Sequence, residues 1–163
     1  MAIESQTLAP VYQGWQTHQQ HLVTTLGRLS QEQLALRAAP HIRSIGTLAA
    51  HILAVRIWWF HHVMNEGSAD LEPLRALEFD DPVRCPAIDL AAGLADSWDV
   101  MLDCFIRWTP DDLNQTFKTR SGPRSRHWIL SHLRDHDFHH GGELFLSCNM
   151  NRLLVPARPK NYG

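Results

Sequence analysis

Apolar residues recur at Leu8, Val11, Tyr12, Trp15, Leu22, Leu26 and Leu29, the period of an amphipathic helix with one face turned to a core. Ser30 followed by Gln33 forms a capping-box pattern that predicts a short helix over Gln31–Leu36, and Pro40 closes that segment. Ser44 then opens a second long helix, Ile45–Asn65, apolar nearly all round and stopped by Gly67. Residues 67–87 carry Pro73, Pro82 and Pro86 and read as a long connection with a helical turn near Leu74. A third long helix, Asp89–Trp108, places Leu90, Leu94, Trp98, Met101, Phe105 and Trp108 on one side. Thr109-Pro110-Asp111-Asp112 is a helix start, cap then proline then acids, predicting a short helix to about Phe117. After a turn at Ser121-Gly122-Pro123, the fourth long helix runs Arg124–Asn149, and the tail beyond Asn151 reads as extended.

Four long helices, short ones between them and no extended alternating run predict an all-α four-helix bundle. The chain of 163 residues reads as one domain, 1–163, with its core in about 6–150 and an extended tail over 151–163. Long connections permit a crossover order other than simple up-and-down.

Charge and composition narrow the partners. A net charge of −2 offers no field for nucleic acid, so none is expected. Basic residues gather only at Lys118, Arg120, Arg124 and Arg126; the segment reads as a solvated loop entering a helix, with contact to an anionic ligand as the alternative. The longest apolar stretch, Ile45–Phe60, is interrupted by Gly46, Thr47, His51 and Arg56, which argues against a membrane span. Met1-Ala2-Ile3-Glu4 has no basic start before an apolar core, so no signal peptide is expected. Cys85, Cys104 and Cys148 are odd in number and lack CxxC spacing, which fits reduced thiols in the cytoplasm.

The chemistry lies in the histidines. Of eleven, five fall between residues 127 and 140, and neutral imidazole is a common ligand for zinc, nickel and iron. His132, His136 and His140 repeat every four residues, one per turn on one side of a helix. The outer two are about 12 Å apart along the axis, too far to share an ion. One adjacent pair can chelate, and a further ligand must come from another helix. His51 is the natural donor, a lone polar ring among Leu48, Ala50, Ile52, Val55 and Trp58. The competing reading is a core histidine bonded to a carbonyl. His18 and His21 fall on the polar side of the first helix, His41 in a loop and His127 at a helix start. His62 shares the face of His51 but lies about three turns away, and His139 points elsewhere. The six tryptophans read as core or interface, with some available to line an apolar pocket above the metal.

Two segments together resemble the DinB/YfiT-like family. One is Ser44-Ile45-Gly46-Thr47-Leu48-Ala49-Ala50-His51 on the second long helix. The other, Trp128 to Leu144, is similar to that family's last-helix motif, usually His-Glu-x-x-His followed by Arg-Gly-Gln. The resemblance covers residues 6–150 and implies a four-helix bundle of unusual crossover order, commonly dimeric. It also implies one divalent metal ion, zinc, nickel or iron, held by His51, His136 and His140, in a thiol S-transferase or a hydrolase acting on a small molecule. Three departures stand out: Asp137 for Glu, Gly141 for Arg and Glu143 for Gln. Asp137 is a candidate to accept a hydrogen bond from a ligand ring or, failing that, to act as base. The adjacent glycines imply a fraying helix or the close approach of a neighbour.

Three histidine ligands leave a coordination position open, the pattern of a catalytic zinc site. Bound water or a substrate thiolate is the nucleophile such a site activates. His136-Asp137-x-x-His140 mimics the zinc-protease helix, but no strand is visible to align a peptide. Di-iron carboxylate bundles need Glu-x-x-His pairs, and the sequence has none. A bundle that binds metal without catalysis is the alternative function.

Overall fold

The computed structural model describes residues 7–78 and 85–156. A 3₁₀ turn at Ala9–Tyr12 leads into α1 (Gln13–Leu26), followed by α2 (Gln31–Leu34) and α3 (Ile45–Ile57). The α3 coil widens into a π-helical segment, Trp58–Val63. The connection beyond it holds α4 (Glu72–Arg75) between 3₁₀ turns at Ala69–Leu71 and Ala76–Glu78. Pro82 of that connection, Met1–Glu4 at the start and Pro159 of the tail lie outside the described residues. Helix α5 (Ala87–Arg107), a 3₁₀ turn (Pro110–Asn114), β1 (Thr116–Thr119), β2 (Gly122–Ser125) and α6 (Arg126–Met150) complete the chain.

Three of the caps are where the sequence puts them, at Ser30, Ser44 and Thr109, and the cap of α6 comes from Ser125, which the sequence had not singled out. Ser30 and Gln33 form a reciprocal capping box at α2, and Thr109 with Asp112 forms another at the Pro110 turn. Ser44 Oγ accepts from the Thr47 amide at α3, and Ser125 Oγ from the Trp128 amide at α6. Each satisfies an amide that the first helical turn leaves without a partner.

In the bundle α1 packs beside α5 and α6, and α3 also packs beside α5 and α6. The first two long helices therefore occupy opposite corners, the crossover order that long connections permit. The core has an aliphatic half around Leu22, Leu48, Leu53, Leu90 and Leu144 and an aromatic half around Trp15, Phe60, Trp98, Phe105 and Trp108.

Between the halves lies a buried polar layer. Arg56 of α3 donates through Nε to Asp137 Oδ2 of α6 at 2.8 Å and through Nη1 to Gln19 Oε1 of α1 at 2.6 Å. Trp15 Nε1 donates to the same Asp137 oxygen at 2.7 Å, and Gln19 Nε2 donates to the Leu94 carbonyl of α5 at 2.8 Å. One hydrogen-bonded group thus links all four long helices.

Two expectations are corrected, and a third, left between two alternatives at the glycines, is decided. The short helix after Pro110 stops at Asn114, and Thr116–Thr119 pairs antiparallel with Gly122–Ser125 as a hairpin, so α6 starts at Arg126 rather than Arg124. The loop is Arg120-Ser121, and Gly122 follows at φ 100°, a left-handed geometry that favours glycine. His18 and His21 are buried, not solvated: Nε2 of His18 donates to the Asp137 carbonyl at 3.0 Å, and Nε2 of His21 donates to the Pro156 carbonyl at 2.8 Å. Finally, α6 does not fray at its glycines. A Cβ at Gly141 would stand 2.4 Å from His18 Nε2, whereas Gly142 faces open space. Gly141 is there because α1 comes close.

Candidate metal centre

His51 sits in the second turn of α3, and His136 and His140 lie one turn apart on α6, against which α3 packs. The three rings face one another, with centroids 4.8 Å apart for His51 and His136, 4.8 Å for His51 and His140 and 4.5 Å for His136 and His140. One nitrogen from each lies within 4.8 Å of the others, and the two Nε2 atoms of His51 and His136 are 3.0 Å apart. Two nitrogens on one tetrahedral zinc lie roughly 3.3 Å apart. The donor set therefore suits a single divalent ion with small ring adjustments. Side-chain exposures of 16%, 13% and 17% leave the rings reachable from solvent.

Carboxylates stand behind the rings. Nδ1 of His51 is bonded to Glu78 Oε1 and Nδ1 of His140 to Glu143 Oε2 at 2.7 Å. With those nitrogens engaged, Nε2 is the free donor of each ring. Behind His136, Nδ1 is 3.8 Å from Asp137 Oδ1, and both atoms are buried without a hydrogen-bond partner among the described residues. Carboxylates in these places fix ring orientation and tautomer for ligation.

Burial holds His51 below its ordinary pKa against the pull of Glu78, and it holds His140 down against Glu143. Neutral imidazole is the form that ligates. Burial pushes the Asp137 carboxyl up, but the Arg56 guanidinium, the nearby His136 ring and the hydrogen bonds from Arg56 and Trp15 outweigh it and hold the group below the usual carboxylate range.

The three sequence candidates for the metal thus come together, while Asp137 turns mainly into the bundle. His132 stands apart, stacked on Trp128 at 4.9 Å with its centroid 6.5 Å from that of His136. His62 instead meets Glu72, and His139 is exposed with only a loose approach to Glu143, 3.7 Å. Glu78 was not anticipated. It lies 27 residues beyond His51 in a connection without periodicity, and only the fold brings it to the ring. Glu143, three residues after His140 on the same helix, could have been read from spacing.

No curated protein matches the chain. Among solved structures, a DinB-like protein from Bacillus cereus ATCC 10987 superposes with a TM-score of 0.71 over 94% of this chain and 98% of its own, at 24% identity. That likeness establishes the fold as DinB-like. A family model described as mycothiol S-transferase matches residues 13–146, which include all four long helices almost entirely and His51, His136 and His140. On that match, the chain belongs to the mycothiol S-transferase family.

Proposed function

We propose that the protein is a metal-dependent thiol S-transferase acting on a small-molecule thiol of the mycothiol type. The observation that carries this reading is the convergence of three half-buried imidazoles, with Glu78, Asp137 and Glu143 behind them. His51, His136 and His140 would hold one zinc, nickel or iron ion. Such an ion, with a position left open, lowers the pKa of a bound thiol and so supplies a thiolate near neutral pH.

The protein residues serve this chemistry by orientation. Glu78 and Glu143 keep a proton on Nδ1 of their histidines and leave Nε2 bare. Thiol transfer is favoured over hydrolysis because Glu78 and Glu143 are engaged by ligand rings and Asp137 is buried and paired with Arg56. Asp137 Oδ2 is held by Arg56 and Trp15, so a free general base for water is lacking among them. A thiolate needs no such base at the attacking step.

Two further properties belong to the proposal. The cytoplasm suits three free cysteines, with burial pushing Cys104 up to about 12 and Cys148 up to about 11. No described helix is long and apolar enough to cross a membrane. A homodimer is supported by Phe138, Leu146 and Met150, which project from one side of α6 and are 38%, 54% and 63% exposed.

The test is conjugation of mycothiol, with glutathione for contrast, to a fluorogenic electrophile. Turnover should vanish on chelation, return with one of the three metals, and be lost in His136→Ala. A protein carrying one metal per chain that conjugates no thiol would overturn the transferase reading and leave metal binding without catalysis.

A further inference from the structure

A groove that begins beside the three imidazoles, at Glu78, runs between the π-helical end of α3 and the hairpin. One cavity of 510 Å³ lies between Trp58, Trp59 and His62 on one side and Lys118, Arg120 and Ser121 on the other. A second of 490 Å³ shares Trp58 and Arg120 with it and reaches Val55, Arg75 and Glu78. The shared residues make the two one continuous groove. The Glu78 end adjoins the histidines: Glu78 bonds His51 Nδ1, and Val55 lies one turn beyond His51. From His51 to Trp58 is about 10 Å along the helix axis.

The groove has a flat floor and a cationic rim. Trp58 is 38% exposed, a large indole left partly in water by the π-helical turn that carries it. The side chains of Lys118 on β1 and Arg120 in the hairpin loop, both exposed, make no ion pair or hydrogen bond among the described residues. Arg75 lies 5.7 Å over the Trp58 ring and pairs with Glu72. Among the described residues the acid lining the groove, Glu78, is engaged by His51, and His62 is engaged by Glu72. Two cations without counterions among the described residues thus stand beside an indole that is 38% exposed, with the His62 ring 5.1 Å from it. Carboxylate recognition by arginine and stacking on indole are the chemistries this pairing offers.

We propose that this groove binds the acidic end of a flat, aromatic or conjugated carboxylic acid. The π face lies on Trp58 and the carboxylate on Arg120 and Lys118. The site rests on the transferase reading only for its role, since a molecule so held extends toward His51 and would be a substrate of that centre. The basic segment Lys118–Arg126, noted in the sequence as a solvated loop, thereby acquires a ligand at its hairpin half.

The experiment is calorimetric titration with cinnamate and with cinnamyl alcohol, its neutral counterpart, on metal-stripped and metal-loaded protein. Cinnamate should bind at least roughly tenfold tighter than the alcohol, the worth of a charge-assisted hydrogen bond. Arg120→Gln with Lys118→Gln should erase that preference, and Trp58→Ala should weaken both ligands. The preference should survive metal removal. Failure of cinnamate to bind, equal affinity for the two ligands, or a preference that vanishes with the metal but survives Arg120→Gln would overturn the proposal; the last would place the carboxylate on the ion. Binding to stripped protein involves no turnover, so this outcome is read separately from that of the thiol-conjugation assay.

Discussion

Arg56 and Asp137 form an ion pair inside the bundle, Nη2 to Oδ2 at 2.7 Å, with their side chains 1% and 0% exposed. The pair joins the two helices that carry the histidines, and Asp137 follows His136 directly in the chain. The carboxylate that the sequence offered as a helper to a ligand ring is therefore, first, a structural group.

Substituting Asp137 should accordingly cost stability before it costs chemistry. Asp137→Asn leaves a buried guanidinium with no counter-charge, a loss of about 3–5 kcal/mol. Chemical denaturation of metal-free protein measures it. A change below about 0.5 kcal/mol would mean that water or rearrangement satisfies Arg56 without the carboxylate.

Acid should unfold the protein in two stages. Burial, the largest influence on His18, pushes its pKa down to about 4 from 6.5. The unfolded chain binds that proton more readily, so stability present above pH 6.5 is lost as pH falls from about 6.5 to 4, on the order of 3 kcal/mol. Asp137, whose folded pKa is depressed, adds stability that is lost only at lower pH, as its own carboxyl protonates. Denaturation midpoints between pH 4 and 7 should fall steeply for the natural protein and more gently for His18→Gln. Parallel profiles would exclude His18 as the source.

The bundle was legible because its signals are local and repeated: the periodicity of α1 and α5, the caps at Ser30, Ser44 and Thr109, and the spacing of His136 and His140. The site was legible as far as residue type and one helix face allow. What escaped depends on which helices meet. The polar side of α1 holds His18, buried because α6 has only a hydrogen atom at Gly141, and His21, buried against Phe145 and Pro156. Glu78 reaches His51 from a connection with no pattern, and Arg56, read only as a break in an apolar run, finds its counter-charge 81 residues away. The hairpin has strands of four residues, too short for alternation to stand out.

The two adjacent glycines should behave in opposite ways. Gly141→Ala drives a methyl into the His18 ring and should destabilise by about 1–3 kcal/mol, as overpacking does. Gly142→Ala meets nothing within 4 Å and should stabilise by up to about 1 kcal/mol, the helix preference of alanine over glycine. Thermal unfolding of the two variants decides it; equal shifts would contradict the close approach of α1 to α6.

Glu78→Gln and Glu143→Gln test the carboxylates behind the rings. Each should weaken metal binding by roughly 10 to 100-fold while leaving one ion per chain at saturation. Competition against a chromophoric chelator gives the affinity, and elemental analysis the stoichiometry. Unchanged affinity in both variants would show that helix packing alone orients the rings. Loss of stoichiometry in Glu143→Gln would instead make Glu143 a direct ligand, as its grouping with His139 and His140 also permits.

The exposed stripe on α6 gives the last prediction. Phe138, Leu146 and Met150 stand at separations of eight and four residues, so they share one side of a continuous helix, with the unobstructed Gly142 between the first two. A helix presenting such a face packs well against a second copy of itself, because glycine lets the backbones approach. The purified protein should sediment at twice the mass of one chain. Leu146→Glu, at a position already 54% exposed, should leave the fold intact and shift the protein to monomer, since a charge in an apolar contact is costly to desolvate. If Leu146→Glu still sediments as a dimer, another face mediates assembly; if the natural protein sediments as a monomer, the stripe has no self-association role.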